Sequence, residues 1–404
     1  MNKLYTHVLI ICVLLCVIFV MFTPATITFT RLENFMLPIA LLLLALAKGI
    51  RIELCILSGL VAFFVISLVT FLINDLPMGL VSYEIRTVKY ILFFVIALNI
   101  VNKYPRLIDL FLKSAVVLIG CIMALEIVNP VGIGDELFDF FTHRQSYEFL
   151  QKGSLRIIGA MVNPNDNGVI LVCLSAYFMS AYYYFRNKVD VLFIALCALL
   201  IILAQSRTAM VAFLAVGIVF LVHLKMTKRT AIGFAAVVFL GVVSLYFLDT
   251  NYLMEIFTKN PMNIGEFTGR FPAWEFMMAE WNNNKILGVG HFVHKMDAFR
   301  NAPDSEYIYV LASKGIVGFI IYLSLLLTPV VVLWKYRKDE PHAMLGILLP
   351  VAFTLVAVTN FTILNVRIAM FYYFLLALSF SGVMTNKNYK MSTSFRGLNL
   401  IKES

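Results

Sequence analysis

The chain has 404 residues, 61% of them hydrophobic and 14% charged. A soluble globular domain carries about 25% charged residues, so this composition excludes one and indicates a polytopic membrane protein. The net charge of +9 is spread over short loops between apolar runs, so it is a topology signal rather than a nucleic-acid footprint.

A helix needs roughly 20 apolar residues to cross the hydrocarbon core. Stretches that meet this within a few residues are 5–24, 34–48, 53–74, 87–101, 107–129, 159–184, 189–205, 207–224, 230–248, 308–334, 342–360 and 364–384. The expected fold is therefore all-α: one integral membrane domain over 1–404 with about 12 transmembrane helices. The first run follows a short basic start and is too long for a signal-peptide core, so it reads as a retained span. Cys12, Cys16, Cys55, Cys121, Cys173 and Cys197 all lie inside apolar runs without a CxxC pair, and neither disulfides nor a zinc site are expected.

Alternate loops differ in charge. One set holds Lys3, then Lys48 and Arg51, Lys103 and Arg106, Arg186 and Lys188, Lys225 to Arg229, Lys335 to Lys338, and finally Lys387, Lys390, Arg396 and Lys402. The positive-inside rule makes this set cytoplasmic, with both termini. Arg31, Arg86, Lys89 and Arg367 fall on the other side, with the two long segments 130–158 and 249–307. The second long segment lies between the ninth and tenth spans. In it, Phe271, Trp274, Met277, Met278 and Trp281 recur at helical spacing. Such a helix either lies on the membrane surface or packs on the other long loop.

Loops this small place any chemistry at the outer face, where near-membrane charges are costly. Arg207 sits in "AQSRTAM". The chain passes from Lys188 out and back to Lys225 in two helices of about 18 residues, or about 27 Å each, against a core of about 30 Å. Arg207 then lies at or below the headgroup plane, either snorkelling or holding a lipid-linked phosphate. Arg156 precedes "GAMVNPNDNG", in which Asn163 to Asn167 either break a helix that lines a cavity or form a loop before a helix starting at Gly168. Arg270, in "TGRFPAW", is a loop charge of little weight alone. His291 and His294 read as solvated loop histidines without a third metal ligand. In "RNAPDSEYIYVLASKGIVGF", acidic Asp304 and Glu306 stand at the mouth of an apolar helix. Asp304 or Ser305 is an N-cap, or Asp304 is a general base.

The order "SLRIIGAMVNPNDNG", "AQSRTAMVAFL", "TGRFPAWEF", "DSEYIYVLASKGIVGF" resembles the O-antigen polymerase and ligase superfamily over about residues 150–385. The resemblance implies a multi-pass glycosyltransferase of the bacterial inner membrane, acting at the periplasmic face without metal, nucleotide or other cofactor. Its substrate would be undecaprenyl-pyrophosphate-linked oligosaccharide, as both donor and acceptor, within membrane lipid. Arg207 and Arg270 match pyrophosphate-binding arginines, and Arg156 and Asn165 match an Arg and NPN element. Counting back from Gly315 and Gly318, the ligase histidine slot holds Asp304 and the following Asn slot holds Ser305, while Tyr307 keeps its position. That departure favours a Wzy-type polymerase, with Asp304 as the catalytic residue and a chain-length regulator as a possible partner. A ligase that transfers glycan to lipid A core is one alternative. A lipid-linked oligosaccharide flippase or transporter is the other, although the candidate charges cluster outside rather than at the bilayer midplane.

Overall fold

A computed structural model describes residues 3–22, 37–42, 51–128, 136, 157, 159–161, 163–224, 270–291, 305–340 and 342–384. Among these every regular element is a helix and no strand occurs. The helices are α1 (Lys3–Phe22), α2 (Leu54–Ile73), α3 (Arg86–Ile100), α4 (Pro105–Val128), α5 (Pro164–Phe185), α6 (Lys188–Leu203), α7 (Arg207–Leu224), α8 (Arg270–Asn283), α9 (Glu306–Leu333), α10 (Leu345–Val356) and α11 (Val366–Val383). A single helical turn, Val81–Glu84, precedes α3.

Six of the described helices are long and apolar enough to cross a membrane: α2, α4, α5, α7, α9 and α11. The chain is a multi-pass helical membrane protein. The expected span 230–248 lies outside the described residues, as does most of 34–48. α5 and α11 are buried along most of their length and form the centre, whereas α2, α4 and α7 keep broad exposed apolar faces. α5 packs against α6, α7, α10 and α11, and α11 also packs against α1 and α3.

Short polar residues start these helices. Asn163, Asn187, Ser305 and Asn365 each occupy an N-cap and accept a bond from a first-turn amide, and Glu53 does the same for α2. Pro164 at the first position of α5 needs no amide partner. The Asn163–Asn167 run is therefore the cap and first turn of α5. It is neither a break within a span nor a loop ending at Gly168.

Side-chain bonds join loops that the charge bias groups together. Thr208 meets Thr359, Asp166 meets Asn365, and Glu84 meets Lys314 at one end. Arg51 pairs with Asn99, Lys113 with Asp190, and Ser180 accepts from Leu345 N–H at the other. The first end, which the charge bias would put outward, is termed the outer end.

The expected continuous span 308–334 is interrupted. At Gly315 the backbone turns to φ 63°, ψ −170°, a region open essentially to glycine alone. The helix ladder lost there is replaced by the segment after α8. Val289 and Gly290 N–H donate to the Ala312 and Ser313 carbonyls (3.0 and 2.9 Å), and Ile316 and Val317 N–H donate to Lys285 and Ile286 (3.0 and 3.3 Å). Non-helical backbone at membrane depth persists only where protein satisfies it, as here. A Cβ at Gly315 would stand 2.2 Å from the Ile286 carbonyl oxygen. Gly315→Ala is therefore expected to cost about 3 kcal/mol or more. Gly120→Ala, whose Cβ meets Leu200 at an ordinary 3.7 Å, should be neutral or stabilising. Melting curves of the detergent-solubilised variants test the contrast.

Candidate functional site

The outer end gathers polar side chains from α5, α7 and α9 around the segment 357–365, which links α10 to α11. Its centre is Glu306, the first residue of α9, which is fully buried. One Glu306 oxygen accepts from Thr362 N–H (2.5 Å), the Thr362 hydroxyl and Ile363 N–H (3.2 Å). The other accepts from Leu364 N–H (2.8 Å). Glu306 N–H in turn donates to the Ala357 carbonyl at 3.0 Å. A buried carboxylate is tolerable only when its lone pairs are met this fully. The mouth of α9 is thus tied on both sides of its first residue to one short loop.

That loop presents its other polar residues to α5 and α7. Asn360 and Asn365 each donate from Nδ2 to a different oxygen of Asp166, at 3.4 and 2.9 Å. Thr359 shares a 2.5 Å hydroxyl contact with Thr208. Thr208 follows Arg207, the first residue of α7, whose side chain is exposed. The turn before α7 is tight, with Gln205 at φ 49° and Ser206 buried. With 16 residues, α6 is only about 24 Å long, shorter than the about 30 Å hydrocarbon core.

Of the residues named from sequence, Arg207, Asn165 and Tyr307 each stand next in the chain to a residue bonded to this loop: Thr208, Asp166 and Glu306. Asn165 is half-buried beside Asp166, and its N–H caps onto Asn163 Oδ1 at 2.9 Å. The Tyr307 hydroxyl donates to the Thr354 carbonyl at 2.8 Å, so its proton is committed to α10. The N-cap of α9 is Ser305, whose Oγ accepts from Ile308 N–H, so capping falls to it. Asp304 and Arg156 lie outside the described residues. Arg270 is the first residue of α8. The buried face of α8, Ala273 and Met277, packs on Tyr309 and Ala312 of α9, with Phe361 and Leu364 alongside. Among the described residues, the outer half of α9 supplies this contact, where the small Ala312 leaves room for a second helix; segment 130–158 lies almost wholly outside them.

Residues 192–323 match the family model described as O-antigen ligase. The match spans about a third of the chain and contains Arg207, Arg270, Asp304, Glu306 and Tyr307. No curated protein matches the chain. The similarity supports the O-antigen ligase and polymerase superfamily and a membrane enzyme of lipopolysaccharide-related glycosyl transfer. Asp166 and the 357–365 loop lie outside the matched region, yet in the fold they complete the same polar cluster.

Sequence reasoning missed Glu306 as an anchor and the roles of Thr359, Asn360, Thr362 and Asn365. The signal was present, since "VTNFTILN" puts four polar residues between two spans. His291 also departs from expectation. It is buried, stacked on Tyr83 at 3.9 Å, and bonded through Nδ1 to the Tyr309 hydroxyl. The segment pairing at Gly315 draws it inward. Among the described residues, no cluster of His, Cys, Asp or Glu has the makings of a metal site.

Proposed function

We propose that the protein polymerises undecaprenyl-pyrophosphate-linked O-antigen repeat units at the outer face of the bacterial inner membrane. The observation that carries this reading is the junction of Thr208, Asp166 and the α9 mouth at one loop, with Arg207 next to Thr208 in the chain and Asp304 two residues before the Glu306 anchor. A polar site at a membrane boundary, offering a guanidinium and a carboxylate, suits a lipid-linked diphosphate and a sugar hydroxyl.

In this reading the acceptor hydroxyl oxygen attacks the anomeric carbon of the donor glycan. The bond from that carbon to the diphosphate oxygen breaks with inversion, and undecaprenyl diphosphate leaves with the electron pair. The hydroxyl proton passes to the Asp304 carboxylate and then to water. Arg207, with Arg270 and Arg156, holds the diphosphate and balances the charge that develops on it. Asn165 and Tyr307 line the site. A chain-length regulator fits such a polymerase as a partner.

The ligase reading is the alternative, and Asp304 in the slot of the ligase histidine weighs against it. A deletion strain separates them on one lipopolysaccharide gel. Loss of a polymerase leaves core bearing a single repeat unit, while loss of a ligase leaves core bearing none. Asp304→Asn, Asp304→Ala and Arg207→Ala, at normal membrane abundance, are each expected to reproduce the single-unit pattern, with rate losses of about 100-fold or more. Full-length ladders from both Asp304 variants would refute the base assignment.

A further inference from the structure

Arg86 opens α3 at the outer end, half-buried, with its guanidinium carbon 4.2 Å from the centre of the Tyr83 ring. It makes no hydrogen bond or ion pair with any described residue. The acids around it are committed elsewhere. Glu84 binds Lys314 through both oxygens, at 2.6 and 2.5 Å. Glu306 gives both of its oxygens to Thr362, Ile363 and Leu364. One turn beyond Arg86, Tyr90 is 3% exposed, and its hydroxyl finds no hydrogen-bond partner among the described residues. Tyr90 lies within electrostatic reach of both Arg86 and Glu306.

A guanidinium has five donors in a planar fork, and leaving it without an acceptor at a membrane boundary is costly. A buried tyrosine O–H without an acceptor is costly as well. Among the described residues the two together lack a partner with several strongly accepting oxygens, and a phosphate group would supply it, two of its oxygens matching the fork.

We propose that Arg86 and Tyr90 form a second phosphate site, which holds the diphosphate of a second lipid-linked substrate. This inference rests on the polymerase reading, since a polymerase takes two lipid-linked diphosphates and a ligase takes one. The placement fits. The 357–364 loop connects the α9 mouth to the Arg207 side, while Tyr309, one turn into α9, bonds to His291, which stacks on the Tyr83 ring that Arg86 covers. The two phosphate positions thus flank the start of α9, which Asp304 precedes in the chain. Donor and acceptor would approach the same base from opposite sides.

Calorimetric titration of the full-length protein in nanodiscs of zwitterionic lipid tests this, with geranylgeranyl diphosphate as the probe. Wild type is expected to bind two equivalents. Arg86→Gln keeps a polar chain over Tyr83 and should weaken one of the two sites by about 10- to 100-fold. Tyr90→Phe keeps the shape and should weaken the same site less. Arg207→Gln should remove the other site. Two undiminished sites in Arg86→Gln, or a single wild-type site that Arg86→Gln leaves intact, would overturn the proposal. Loss of the Arg86-dependent site on adding phosphatidylglycerol, or its filling by inorganic pyrophosphate as well as by the prenyl probe, would reassign it to headgroups or to free anion. If Arg207→Gln binds like wild type while Arg86→Gln loses a site, the donor clamp fails and the Arg86 site stands.

Discussion

Glu306→Ala is expected to free the 359–365 loop and abolish glycan polymerisation while leaving the protein in the membrane. The carboxylate is fully buried and accepts three backbone N–H bonds and one hydroxyl bond from Thr362, Ile363 and Leu364. Truncation leaves those donors buried without an acceptor, at about 1–3 kcal/mol each. Some regain water as the loop loosens, so a net loss of about 3 kcal/mol or more is expected. Glu306→Gln keeps one carbonyl oxygen but turns an amide N–H₂ toward donors, so it should fall between wild type and alanine. The functional loss follows from what the loop holds. Asn360 and Asn365 orient Asp166, and Thr359 braces Thr208 beside Arg207. A displacement of about 1 Å in such a constellation is enough to cost on the order of 100-fold in rate. Two measurements separate the lock from general destabilisation. Melting of the purified protein reports the stability loss. Maleimide labelling of Asn360→Cys, in a background without other cysteines, reports the loop itself, since Asn360 is only 8% exposed. Unchanged protection of that cysteine in Glu306→Ala would refute the lock.

The helical character and the grouping of loops at the two ends were legible because both are written in composition. Apolar runs mark the helices, and the Lys and Arg bias groups loops that do touch one another in the fold, such as 206–208 with 359 and 163–166 with 360–365. Caps were legible for the same local reason, with Ser305 taking the role that the sequence left between it and Asp304. The interruption at Gly315 was not legible. "VLASKGIVGF" keeps helical hydropathy across it, and the bonds that make the break tolerable come from residues 285–290, distant in the chain. Glu306 was legible as an acid at a helix mouth but not as an anchor, because its acceptor capacity is filled by amides more than 50 positions away. Residue type announces that a buried charge needs partners. Only the fold says which partners it has.

Removing either member of the Lys314–Glu84 pair is expected to destabilise the protein by about 3–5 kcal/mol, whereas replacing both should not. Both side chains are 5% exposed, and the ammonium meets the two carboxylate oxygens at 2.5 and 2.6 Å. Lys314→Met strands a buried carboxylate, and Glu84→Leu strands a buried ammonium. In Lys314→Met/Glu84→Leu the desolvation cost of both ions disappears, and stability should return to within about 1 kcal/mol of wild type or exceed it. A double-mutant cycle on melting temperature gives the coupling directly, and equal, additive single effects would refute a buried pair. Raising salt should barely move the wild-type transition, because screening reaches buried pairs weakly. The location explains why a pair of uncertain net benefit is kept there. Lys314 precedes Gly315, where α9 gives up its own ladder to residues 285–290, and Glu84 ends the helical turn that leads into Arg86. The bond fixes the register of the outer half of α9 against that turn. Apolar replacements would restore burial without restoring register. The double variant should therefore melt like wild type and still show a weakened Arg86-dependent site for geranylgeranyl diphosphate.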